Sequence, residues 1–276
     1  MKNIEFLLIL PLLALGAPVE EPVGDSQEHT IEYSDNAARH KFVYAASATF
    51  ASEPQHCLEK AFGKTVKLQR QVEVYCDITL DDKCSGYTAV SLEDKAIIIA
   101  YRGASNYLEV LMEGLETYFE HNMPWIVTDA TVSPYFSNGF LNLWNGGMKD
   151  DFNTLAAQYP GYQLWITGHS LGGAFASLAA HYITYNKLYD PSKVLLLTLG
   201  QPRVGNAAFV ASIDKTVINS YRVFYKENMN KGYRVCGDVD ESNQCSDGNL
   251  LPDASIKDHL HYFDVDVDAY GKKNCK

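Results

Sequence analysis

One serine in this chain stands where a hydroxyl can be made nucleophilic. In "WITGHSLGGAFASLAAHY", from Trp165 to Tyr182, an apolar run ends at Thr167, and the next five residues, Gly168 to Gly172, match G-x-S-x-G around Ser170. The five-residue pattern is weak alone, because glycine and serine are common. The strand-like run before it and the small-residue helix after it give it meaning. A tight strand-to-helix turn exposes the serine oxygen, and glycines flank it because side chains there would strike the adjoining strand or helix. Gly173, Ala174 and Ala176 let that helix lie close to a sheet. The helix start also offers free N–H groups and the positive end of a dipole to a developing oxyanion. His169 adjoins the serine but points elsewhere on such a turn, and reads as structural.

A serine hydroxyl needs a base to remove its proton. Among eight histidines, "SIKDHLHYF" near the C-terminus supplies two candidates, His259 and His261. A serine followed late in the chain by a histidine fits the order nucleophile, acid, base. Spacing alone does not choose between the two rings.

The elements that must position these groups follow from periodicity. "TVKLQRQVEVYC" alternates and "GYTAVSL" follows it, so both read as strands. "AIIIAY", "YQLWITG" and "KVLLLTLG" are continuous apolar runs, as in strands covered on both faces, and "INSYRVF" is a further strand. Ser34 caps a helical pattern through Phe50, and helices are expected over 106–120, 139–159, from Ser170 onward, and in "NAAFVASI". Strand–helix alternation through the second half predicts an α/β fold: a central, mostly parallel sheet with helices on both faces, in one domain.

Length, charge and cysteines bound the rest. Residues 1–16 combine one lysine, an apolar run too short to span a bilayer and small residues at the end, the pattern of a secretory signal peptide. Residues 17–33 form a Pro- and Glu-rich leader, and 34–276 the domain; no transmembrane segment is expected. The net charge of −11 argues against nucleic acid and anionic membranes as partners, though not against neutral lipid. Six cysteines in a secreted chain suggest three disulfides. The short spacings point to Cys76–Cys84 and Cys236–Cys245, leaving Cys57 for Cys275, although six cysteines allow fifteen connectivities.

With "AIIIAYRGAS", "FSNGF", "WITGHSLGGAFASLAA", "LTLGQPRVGN", "SYRV" and "DHLHYF" taken together, the chain resembles the class 3, fungal-type lipases of the α/β-hydrolase superfamily from about Ser34 to Cys275. The resemblance implies Ser170 as nucleophile and His259 as base, with His261 a packing residue. It also implies an oxyanion hole from the N–H groups of Ala104 and Leu171, and no metal or cofactor. The cysteine pairing is similar to that of the family. Two departures stand out. Ala104 replaces the family's serine or threonine, which removes a hydroxyl donor. The D-x-V-P that normally follows "YRV" and carries the triad acid is missing; Glu227 is the acid near that position, with Asp214, Asp238 and Asp240 farther off.

Between 106 and 120, Leu108, Leu111, Met112, Leu115 and Phe119 make an apolar face opposite four glutamates. This suits a core-covering helix or, by the resemblance, a lid that meets a lipid surface. The expected activity is that of a secreted, extracellular serine carboxylic-ester hydrolase acting on neutral lipid or another ester through an acyl-enzyme. The rival is an impaired or lipid-binding homologue that lacks the acid.

Overall fold

The computed structural model describes residues 30–76, 83–104, 122–224 and 256–276. Six strands form the central sheet in the order β1 (Val66–Tyr75), β2 (Lys83–Ser91), β3 (Ala96–Tyr101), β6 (Gln163–His169), β7 (Val194–Leu199), β8 (Ser220–Val223). The first three are joined as antiparallel hairpins, and β3, β6, β7 and β8 run parallel. Two small pairs stand outside the sheet: β4 (Met123–Pro124) with β5 (Thr131–Val132), and β9 (His261–Tyr262) with β10 (Val265–Asp266).

Burial tracks sequence pattern strand by strand. Every residue of β3 and β7 is buried, as their unbroken apolar runs require for strands covered on both sides. Edge strand β1 alternates instead, with Val66 and Val72 buried and Lys67 and Glu73 exposed. Along β3 the side chains part by period two. Ile97, Ile99 and Tyr101 enter the larger core, while Ile98 and Ala100 enter the smaller one on the opposite face.

The larger core lies beneath α3 (Pro134–Leu143), α4 (Lys149–Gln158) and α5 (Leu171–Tyr185), with Phe136, Phe140, Trp144, Phe152 and Phe175 at its centre. The opposite face is covered by α1 (Val43–Ala48), α2 (Pro54–Phe62) and α8 (Val267–Lys272). A short helical start capped by Ser34 and a π turn over Ala38–Phe42 lead into α1. The helix expected over 139–159 begins earlier, at Pro134, and is broken by a π turn over Trp144–Met148. Gly147 there has φ 139°, and the Arg70 guanidinium packs on its missing side chain while donating to its carbonyl at 2.9 Å. Periodicity continues across the break, which is why the sequence shows one helix. Asn206 caps α6 (Ala207–Thr216), its side chain accepting from the Phe209 N–H.

Disulfides Cys57–Cys275 and Cys76–Cys84 are formed as expected. The first ties α2 to the C-terminal segment and the second closes the β1–β2 hairpin. Cys236 and Cys245 lie outside the described residues, as do Glu227, the segment 106–120 and the expected signal peptide. Among the described residues, no helix is long and apolar enough to cross a membrane.

Candidate active site

Strand β6 ends at His169, and α5 begins at Leu171, so Ser170 alone makes the turn between them. It does so at φ 54°, ψ −125°, a left-handed conformation that a non-glycine residue holds only when its surroundings impose it. The surroundings are explicit. A Cβ on Gly168 would stand 2.2 Å from the Gly172 carbonyl oxygen, and one on Gly172 would stand 2.2 Å from the Tyr101 carbonyl oxygen. Only glycine allows β3, β6 and α5 to converge this closely. Backbone bonds complete the lock: Ser170 N–H donates to Leu199 O at 2.9 Å, and Gly173 N–H donates to Ser170 O at 2.8 Å. Ser170 is only 2% exposed.

The candidate oxyanion donors come from two elements. Leu171 is the first residue of α5, where an N–H has no carbonyl one turn back. Ala104 follows β3. Gly103 before it passes so close that an added Cβ would be 2.7 Å from His169 O and 3.5 Å from Ser170 Cβ. Ala104 packs into the same core cluster as Leu171. Both backbone segments therefore border the serine.

His259 arrives from the far end of the chain on a short helix, α7 (Ile256–Leu260). Its backbone carbonyl accepts a 2.7 Å hydrogen bond from His169 Nε2, and the two rings lie 4.9 Å apart between centroids. Gly200, at φ 57° after β7, leaves room beneath: a Cβ there would meet Tyr262 Oη at 2.4 Å and His259 Cε1 at 3.1 Å. His259 Nε2 is buried without a hydrogen-bond partner. Burial alone pushes the His259 imidazole down to about 4, so it stands neutral at physiological pH with a lone pair to accept a proton. His261 takes a different place, on β9, with Nε2 3.7 Å from Asp266 on the paired strand. The structure thus brings His169 and Gly200 against His259, with Ser170 next in sequence to His169, and puts His261 in the outer hairpin. Asp214 is on α6. Among the described residues no carboxylate is hydrogen-bonded to the His259 ring.

A second polar cluster has no counterpart in the motifs. Trp125 Nε1 donates to His181 Nδ1 at 2.8 Å, and His181 Nε2 lies 2.8 Å from Ser212 Oγ. His181 is fully buried in α5, and burial pushes its pKa down to about 4. Because Nδ1 accepts from the indole, the ring proton resides on Nε2, which donates to the Ser212 oxygen. The cluster pins the segment after residue 121 to α5 and α6. The partners are 56 and 31 positions apart, so no local pattern announces it.

Comparison with known proteins agrees with this geometry. The family model "Lipase (class 3)" matches residues 98–229, from β3 through the elbow to just past β8. Over that part the chain is similar to the class 3 lipases. A lipase of Caenorhabditis elegans is 26% identical over 99% of this chain and 91% of its own length. A lipase of Rhizopus niveus is 26% identical over 66% of this chain, which spans about half of that protein (51%). The solved triacylglyceride lipase of Rhizomucor miehei superposes with a TM-score of 0.70 at 20% identity, over 86% of this chain and 97% of the fungal one. The architecture is therefore the α/β-hydrolase fold. Lipases of class 3 are carboxylic-ester hydrolases, and the turn at Ser170 has the strand-to-helix geometry of a nucleophile elbow.

Proposed function

We propose that this protein is a class 3 lipase that is secreted and cleaves acylglycerol esters through an acyl-enzyme, with Ser170 as nucleophile and His259 as base. The observation that carries the reading is the strained turn at Ser170, with the neutral His259 imidazole 4.9 Å, between ring centroids, from that of His169, the residue before the serine. Ser170 Oγ attacks the ester carbonyl carbon as His259 Nε2 takes its proton. The N–H groups of Ala104 and Leu171 hold the resulting oxyanion. Collapse expels the alcohol, which takes the proton from His259, and leaves the acyl group on Ser170. Water, deprotonated by the same imidazole, then releases the fatty acid and restores the serine. Catalytic hydrogen bonds of this kind tighten in the substrate complex, which fits an unpartnered Nε2 in the free protein.

The signal-like residues 1–16 and the two disulfides support an extracellular location. That the relatives are lipases supports a neutral lipid or other ester as substrate, and the amphipathic sequence of 106–120 supplies the candidate lipid-contacting surface.

A second reading is favoured by the sequence, in which no D-x-V-P follows "SYRV". In that reading the triad lacks its acid, and activity falls roughly 10³–10⁴-fold below an intact triad. Glu227 is the proposed substitute. Hydrolysis of a triacylglycerol emulsion and of a soluble short-chain ester by wild type, Ser170→Ala and Glu227→Gln separates the possibilities. Loss in Ser170→Ala supports the hydrolase. A further large loss in Glu227→Gln makes it the acid, while no change means the triad is incomplete.

A further inference from the structure

We propose that His169 is a positioning residue for the base: its imidazole tethers the backbone of His259 and thereby aims the catalytic ring. The proposal rests on the reading of His259 as base, and it concerns a residue whose neighbour, rather than itself, carries the chemistry. His259 lies on a five-residue helix followed by a hairpin whose strands, among the described residues, pair only with each other and not with a strand of the central sheet. Among the described residues, the hydrogen bond that joins His259 to another element is the one from His169. His169 in turn is the last residue of β6, paired with Leu199 in the middle of the sheet and fully enclosed. The tether therefore runs from a buried strand end in the middle of the sheet to a short helix outside it.

The chemistry of the bond sets the state of the ring. A carbonyl oxygen only accepts, so His169 Nε2 carries the proton. The neutral ring then leaves Nδ1 bare, and that atom is buried with no partner. Burial first, and the neighbouring His259 second, push the His169 pKa down to about 3, so the tautomer persists throughout the working pH range. A ring that never gains a second proton is unsuited to proton transfer and suited to holding a carbonyl. It also packs edge-on against Tyr262, with centroids 5.7 Å apart, which fixes its plane. Among the described residues, the titratable groups around His259 from other elements are His169 on β6 and Tyr262 on β9; Asp258 is its neighbour on α7.

Two readouts test the proposal, one of them independent of turnover. His169→Phe keeps an aromatic ring against Tyr262 and removes the donor, whereas His169→Gln keeps an amide donor of similar reach. In His169→Phe we expect kcat/KM per folded molecule to fall about 10- to 100-fold through kcat, with KM nearly unchanged and substantial rescue in His169→Gln. NMR titration of His259, assigned by comparison with His259→Asn, should show its pKa rising from about 4 toward the ordinary histidine value as the untethered ring gains solvent. The acid limb of the rate profile should move up with it. General loss of stability would reduce the folded fraction without moving that titration. If His169→Phe does not fold, His169→Gln and His169→Asn carry the same comparison, since the shorter amide does not reach the carbonyl. An unmoved His259 titration in the donor-less variant overturns the proposal, whatever the rates show. Failure of wild type to be acylated at Ser170 would instead break the catalytic reading, and the NMR result would still decide the tether.

Discussion

The two halves of the proposed catalytic pair are held in opposite ways. Ser170 stands at the meeting point of β3, β6 and α5, with glycines on both sides that no other residue can replace and backbone bonds in both directions. His259 stands on a short helix outside the sheet, held, among the described residues, by the side-chain bond from His169, a glycine-shaped hollow and a hairpin. The nucleophile is over-determined by contacts within a few residues of itself. The base depends on groups distant in sequence, of which the 218-residue link Cys57–Cys275 is the strongest covalent example. A nucleophile must hold a strained backbone, so its support is local and dense. A base must only present a ring, so a few long-range ties suffice.

Breaking the dense side should have the largest effect. Gly172→Ala puts a methyl group 2.2 Å from the Tyr101 carbonyl oxygen, and backbone on both elements would have to shift. The expected loss is on the order of 5 kcal/mol, enough to abolish folding in a marginal domain and readable as failure to recover soluble, cooperatively melting protein. A variant that melts near wild type would mean that the elbow is looser than described.

The sparse side gives the next effect. Removing the long disulfide with Cys57→Ser and Cys275→Ser should cost roughly 4–5 kcal/mol in the chain-entropy model, against about 2–3 for Cys76→Ser and Cys84→Ser, whose loop is short. Denaturant midpoints measure both. If the short link proves the more stabilising, the long tie is not what secures the C-terminal segment.

Acid acts on both sides through buried histidines. His169, His181 and His259 titrate at about 3, 4 and 4 in the folded protein, below the value near 6.5 expected when unfolded. Between those values the unfolded chain binds protons that the folded chain refuses. Their contribution is therefore complete above about pH 6.5 and is lost progressively as pH falls toward 4, on the order of a few kcal/mol. Urea midpoints should drop between pH 7 and pH 5; equal midpoints would contradict the buried neutral state. A smaller effect, about 1–2 kcal/mol, is expected for Trp125→Phe, which leaves His181 Nδ1 buried and unsatisfied. Thermal unfolding of that variant tests whether the segment after residue 121 is fastened independently of the catalytic pair.

The same contrast explains what the sequence made legible. The elbow was readable because its determinants, Gly168, Ser170 and Gly172, are neighbours in sequence. The strands β3, β6 and β7 were readable because complete burial leaves an unbroken apolar run. Helix α2 and the β9–β10 hairpin went unread: the first is short and polar on much of its surface, and the second has two-residue strands with no periodicity to detect. The role of His169 was hidden for another reason. Its position on the turn predicted that it points away from the serine, but only the tertiary fold shows the ring reaching the carbonyl of a residue 90 positions later. The assignment of His261 to packing came from resemblance; in the fold it stands on the outer hairpin opposite Asp266.

The central claim is that Ser170 is a nucleophile activated by His259, and covalent labelling addresses it most directly. A fluorophosphonate probe followed by peptide mass spectrometry should find one adduct, on Ser170. Labelling should vanish in Ser170→Ala, fall by orders of magnitude in His259→Ala, and survive in His261→Ala. An unlabelled wild-type protein, or labelling that persists in Ser170→Ala, would contradict the account.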